Sequence, residues 1–213
     1  MCKTSLRAIA TATAIAAALL ACPAGPSQAG EGRSCTVDRV EGATVRYSKG
    51  PDWVALTVNE LPAGAVKVST GQDTRIEIAC SDGIVVTVGY ATTVDLAALT
   101  AAPRSDGNVL LDLVDGIIGI VAPERSWTSF RVRTPLAIAS IRSTTWFAEH
   151  AAGADSAFFV REGEVAVTAD GKAFRLSPGE GLTITPEGGP GEVKAWGPKR
   201  IDEAVARLGF AWR

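Results

Sequence analysis

Few side chains in this sequence could do chemistry. Its 213 residues include four cysteines, one histidine and one methionine. Cys2 and Cys22 fall in the first thirty residues, which leaves Cys35 and Cys80 in the body of the chain. Two such thiols pair in an oxidising compartment. The bond would close a loop of about 45 residues and stabilise the fold by ~3–4 kcal/mol through the unfolded chain. The alternative is two unpaired thiols. A nucleophilic thiol would need a base beside it, and the single His150 has no partner suggested by sequence. Carboxylate pairs are the other candidate chemistry, since glycan hydrolysis needs two carboxyls ~5–10 Å apart. Glu149 with Asp155, and Glu162 with Glu164, are the pairs by spacing. Glu162 and Glu164 flank Gly163, where solvated carboxylates are the default. No group of residues combines nucleophile, base and orienting partner, so no catalytic residue is assigned. One histidine without a Cys/His cluster leaves no conventional zinc or haem site, and no cofactor or metal is expected.

Charge and composition narrow the partners. Lys and Arg number 21 against 23 Asp and Glu, a net charge of −2. A nucleic-acid binder would need a basic excess to neutralise phosphates, so nucleic acid is excluded as a partner. With 46% hydrophobic and 21% charged residues, the chain is globular in composition.

The first 29 residues read as an export signal. Lys3 and Arg7 precede the uncharged Ala/Leu/Ile run from Ala8 to Ala21, which is shorter than the ~20 residues of a membrane span. Pro23, Gly25 and Pro26 break that run, and Ser27-Gln28-Ala29 forms a cleavage site before Gly30. The alternative is lipid attachment: Leu19-Leu20-Ala21-Cys22 is similar to a lipobox, in which Cys22 would carry the anchor. Residues 30–36 are then a linker, 37–186 the domain, and 187–213 a Gly/Pro linker with a helix. No transmembrane segment is expected.

The elements that must position the chemistry are strands. In Arg75–Val88, apolar Ile76, Ile78 and Cys80 alternate with Arg75, Glu77 and Ala79, then Ser81-Asp82-Gly83 turns the chain into Ile84, Val86 and Val88. This hairpin points Cys80 inward. Glu162-Gly163, Asp170-Gly171 and Pro178-Gly179 are turn signals eight residues apart, with short strands at Ala157–Val160, Glu164–Thr168, Ala173–Leu176 and Gly181–Thr185 before, between and after them. Further strands are predicted at Ala43–Tyr47, Trp53–Val58, Val109–Leu113, Ile117–Val121, Ser129–Val132 and Thr145–Glu149. Residues 91–102 fit a helix or a strand with a loop. Short strands with frequent turns mark an all-β sandwich or roll. In the tail, Pro198 opens a helix and Ile201, Ala204, Val205 and Leu208 form its apolar stripe, with Gly209 as cap. This helix, with Phe210 and Trp212, either docks on the β core or offers Ile201, Leu208 and Trp212 to a partner.

One series of motifs resembles a known family. Residues 130–149 (FRVRTPLAIASIRSTTWFAE) resemble the central motif of the FecR domain, a V-x-T-P-x-A segment leading into R-G-T-x-F-x-V. Phe159–Val167 and Leu176–Glu180 resemble its V-x-x-G-x-V-x-V and L-x-x-G-E motifs. Trp53–Leu56, Leu61–Gly64, Thr70-Gly71 and Ser81–Gly83 resemble its earlier landmarks. The resemblance covers residues 37–186. It implies an exported, all-β, solenoid-like module of short antiparallel strands, without enzymatic activity. Trp53, Thr134, Pro135, Arg142, Thr144, Gly163, Gly179 and Glu180 are its motif positions here. Pro135 stiffens the approach to its strand, and Arg142 is expected in a turn, bonded to backbone carbonyls. Ser143 stands where the family usually has Gly. The family's transducers add a cytoplasmic region that contacts a sigma factor. Here an export signal precedes the domain, so direct sigma-factor contact is not expected.

These readings converge on a periplasmic or secreted binding or regulatory module, or a lipid-anchored one, that meets an envelope protein or anionic glycan. Arg131 and Arg133 share one strand face, which is either a solvated surface or a patch for anionic groups. The alternatives are an assembly component acting through its C-terminal helix, and a carboxylate-dependent glycan hydrolase.

Overall fold

A computed structural model of the chain describes residues 34–56, 61, 67–100, 108–123, 129–210 and 212, without the side chains of Lys49, Thr100, Arg142 and Ser143. The export signal, the Ala29/Gly30 cut and Cys22 lie outside the described residues. Among the described residues no helix is long and apolar enough to cross a membrane.

The chain order is β1 (Cys35–Glu41), β2 (Val45–Lys49), β3 (Asp52–Ala55), β4 (Lys67–Thr70), β5 (Arg75–Cys80), β6 (Val85–Val88) and β7 (Thr93–Asp95). A single helical turn, α1 (Ala97–Thr100), follows, so the ambiguous stretch after Ala91 is a strand and then a turn of helix. Next come β8 (Asn108–Ala122), β9 (Ser129–Arg133), β10 (Ile138–His150), β11 (Ser156–Ala169), β12 (Lys172–Leu176) and β13 (Glu180–Thr185). Two short pairings, β14 (Gly189–Pro190) and β15 (Lys194–Ala195), lead into α2 (Pro198–Leu208).

All strands belong to one hydrogen-bonded sheet, which three long strands fold into two facing layers. The first half of β8 lies between β7 and β9, and its second half between β6 and β10. The first half of β10 pairs with β9 and the end of β11, and its second half with β8 and the start of β11. The start of β11 also pairs with β13, and its end with β12. One layer therefore runs β3-β2-β4-β7-β8-β9-β10-β11-β12, and the other β1-β5-β6-β8-β10-β11-β13. Strands that pass between sheets at bends or bulges make the corners of such a sandwich. Val68, Ile78, Val86, Leu111, Phe130, Val132, Trp146, Phe158 and Val167 fill the space between the layers and are shielded from solvent.

The bends correct three expectations. Glu162-Gly163 is not a hairpin turn; it is a kink inside the continuous 14-residue β11, with Gly163 at φ +81°. A Cβ is strained at that angle. The segments 109–113 and 117–121 are one 15-residue strand, β8, which kinks at Gly116 (φ +100°), where Thr92 Oγ1 accepts the Ile117 N–H at 2.9 Å. Arg142 sits in β10 opposite Glu164, at a register break, rather than in a turn. The strands are also not all antiparallel, because β9 runs parallel to β8. Such non-local pairings have no local sequence signal.

Candidate functional site

The expected disulfide forms, and it links neighbouring strands of one layer. Cys35 opens β1, its register partner on β5 is Cys80, and the two sulfurs are bonded. β1 thus begins inside the stretch expected to be linker.

The family-motif residues act locally. Thr134 is buried, and its Oγ1 accepts the N–H groups of Leu136 (3.3 Å) and Ala137 (3.1 Å), while its own N–H donates to the Ala137 carbonyl at 2.9 Å. This closes the turn containing Pro135 between β9 and β10. The Glu180 carboxylate accepts the Ser177 N–H at 2.8 Å, and Gly179 adopts φ +86°, which closes the turn into β13. Thr144 is buried on β10. Trp53 is exposed on the edge strand β3, with the Arg46 guanidinium 5.9 Å from its ring centroid.

The tail is part of the packed body. Ala204, Leu208 and Trp212 are buried with Ile117, Phe147 and Phe159 on the outer face of the second layer. The Phe147 ring lies 5.1 Å from Phe159, 5.9 Å from Trp196 and 5.6 Å from Trp212. Gly119 and Gly181 make room: a Cβ on either would overlap the indole of Trp212 or Trp196. Arg75 secures the end of α2 by donating to the Ala206 carbonyl at 3.2 Å, with Tyr90 and Phe210 rings 4.8 and 5.5 Å from its guanidinium. A cation at a helix C-terminus is favourable. Leu208 and Trp212 are therefore core residues and not an exposed partner surface, because the outer face of this layer is apolar and must be covered; Ile201 is half-buried beside them.

Arg131 and Arg133 do share the outer face of the first layer. Arg133 is engaged there by Asp112 through two hydrogen bonds, of 2.5 and 2.7 Å. Those bonds hold the guanidinium above its ordinary pKa. The nearby Arg175 pairs with Glu164 at 2.8 Å. On this face Arg133 and Arg175 are paired, whereas the buried Arg131 Nε has no hydrogen-bond partner.

A cleft of about 510 Å³ opens where β10 ends beside α2. Glu149 and His150 come from the end of β10, Asp155 from the connecting loop, Thr183 from β13, and Arg200 and Arg207 from α2. The loop is a tight turn, in which Ala154 N–H donates to the Ala151 carbonyl at 2.8 Å and Ala152 N–H donates to Asp115 at 2.9 Å. Glu149 is nearly buried and accepts two N–H groups from Arg200, at 3.0 and 2.8 Å, and one from Arg207 at 3.4 Å. Arg200 also lies over the Trp196 ring at 4.5 Å. His150 Nδ1 is 3.0 Å from Ser156 Oγ, which donates to Thr134 Oγ1 at 2.9 Å. The cleft brings together the carboxylates Glu149 and Asp155, one of the two pairs the sequence offers. The two arginines were not foreseen, because they lie some fifty residues on and arrive only when α2 docks. Three N–H donors occupy the Glu149 carboxylate, which suits it to organise guanidinium groups.

Two crystal structures match this fold, both of proteins from Parabacteroides distasonis ATCC 8503 described as anti-sigma factors, at 2.50 and 1.65 Å resolution. They are 21% and 19% identical, each with a TM-score of 0.55, and each match covers 64% of this chain. The chain spans 62% of the length of either. No curated protein matches. The family model described as FecR protein matches residues 66–166, from the start of β4 through most of β11, so this part of the chain is a FecR domain.

Proposed function

We propose that the chain is an exported, non-enzymatic regulatory module of the bacterial envelope that binds a protein or glycan partner. The observation that carries this reading is the FecR domain itself, over residues 66–166. The Cys35–Cys80 bond supports an extracytoplasmic location, because such bonds persist in oxidising compartments. The anti-sigma description of the two similar structures supports a regulatory role. An exported domain would act through an envelope partner, without touching a sigma factor itself. The saturation of Glu149 by two arginines favours a binding role over hydrolysis. Export followed by mass spectrometry of the N-terminus tests the location: Gly30 or a lipidated Cys22 is expected, and an intact Met1 in the cytoplasm sinks it. Pull-down from envelope fractions tests partner binding. A specific protein or glycan retained by the oxidised chain is expected, and no specific retention in any envelope fraction sinks the binding claim.

A further inference from the structure

We infer that the cleft beside α2 binds a hexuronic acid unit of a glycan, its carboxylate on the arginines and its hydroxyls on Asp155. This rests on the glycan branch of the function proposed above and names the chemistry of that partner.

The donor count comes first. A guanidinium has five N–H groups. Arg200 spends two on Glu149 and Arg207 one, so both retain donors. Exposure separates the charges: the Glu149 side chain is 12% exposed, while Arg200 and Arg207 are 40% and 44% exposed. The carboxylate lies beneath and the guanidinium heads face the cleft, so the triad presents a net positive charge and a preset fork geometry. That geometry matches a carboxylate, which guanidinium groups bind in a bidentate manner.

The rest of the lining selects the bearer of that carboxylate. Asp155 is exposed and lines the same cleft. It repels a dianionic phosphate and accepts from hydroxyl groups. Thr183 adds a hydroxyl, while Ala151, Ala154 and Ala157 supply small apolar patches of the kind that the C–H faces of a sugar ring contact. A ligand that uses all of these is both acidic and polyhydroxylated. The volume lies within the range of small-molecule sites. The site is also preorganised, since its floor is two paired strands and its arginines stand two turns apart on one helix.

The test is titration calorimetry of the full, oxidised chain with trigalacturonate, with its neutral methyl ester and with inorganic phosphate. Trigalacturonate is expected to bind at least tenfold more tightly than the ester, and phosphate is expected not to displace it. Arg207→Gln should weaken binding at least tenfold, because Glu149 keeps both bonds to Arg200 and the site persists. Arg207→Lys should retain part of the affinity, and Asp155→Asn should cost about threefold. If Arg207→Gln fails to fold, amide shifts of residues 151–157 and Thr183 in the wild type on adding trigalacturonate decide the matter. Equal binding of acid and ester, displacement by phosphate, an unaffected Arg207→Gln variant, or unmoved amides in this cleft would each overturn the inference. Specific envelope capture without uronate binding overturns only this inference and leaves the module reading standing. Uronate binding by a chain that is never exported supports the cleft and removes the envelope reading.

Discussion

The two halves of β8, β10 and β11 are the same strands in different surroundings. Their sheet-switching halves that face α2 are buried on both sides: residues 116–120, 144–150 and 156–160 are buried without a break. Their other halves alternate, as in Ile138–Ile141 and Val165–Ala169, where every second residue meets solvent. The amino acids follow. Ile117-Ile118, Trp146-Phe147 and Phe158-Phe159 place large apolar groups on both faces, whereas Phe130-Arg131-Val132-Arg133 alternates. A strand covered on both faces reads as a continuous apolar run, and one covered on a single face reads as alternation. The tail helix is thus demanded by the sheet as much as by its own stripe. The covered half carries the cleft lined by Glu149 and Asp155, and α2 supplies one of its walls through Arg200 and Arg207.

This contrast can be broken at graded cost. Phe147→Ala, on the helix-covered half, should destabilise by about 3–5 kcal/mol in urea unfolding, as a buried aromatic with three ring neighbours is lost. A cost near that of an exposed strand position would mean that the tail does not seal this face. Gly119→Val should cost about 1–3 kcal/mol by overpacking against Trp212, and limited proteolysis should show the C-terminus released. Ala166→Val, on the exposed half, should stay within about 0.5 kcal/mol and serves as its control. Glu149→Gln should cost about 1–2 kcal/mol, moderated because both arginine heads can return to water. A double-mutant cycle on Asp112 and Arg133 should give less than about 1 kcal/mol, and high salt should erase it. A larger coupling would make the open face more than a solvated strand surface.

Much of this architecture was legible in local patterns. Alternation at Ile76, Ile78 and Cys80 marked both a strand and the inward direction of the sulfur, and the stripe from Ile201 to Leu208 marked α2. The long strands were misread as short because Glu162-Gly163 carries the chemistry of a turn. Only the pairing of Val165 and Thr145 with their cross-strand partners, set by tertiary contacts, shows that the ladder continues through the kink. The parallel placement of β9 beside β8 has the same origin. The cleft was half legible: Glu149 and Asp155 sit on either side of a short loop, whereas the docking of Arg200 and Arg207 depends on where glycines leave room for Trp196 and Trp212.

The disulfide has a mechanical meaning. Tension arriving through Ser34 would reach the sheet at Cys35, the first residue of β1, whose partner across the ladder is Cys80. Pulled from that end, an antiparallel edge strand unzips one pair of hydrogen bonds at a time, the weakest way to load a ladder. The covalent link passes the load directly to β5, a strand held between β1 and β6. A chain tethered by its leading end would then bear force through the middle of a sheet, and its edge would not peel.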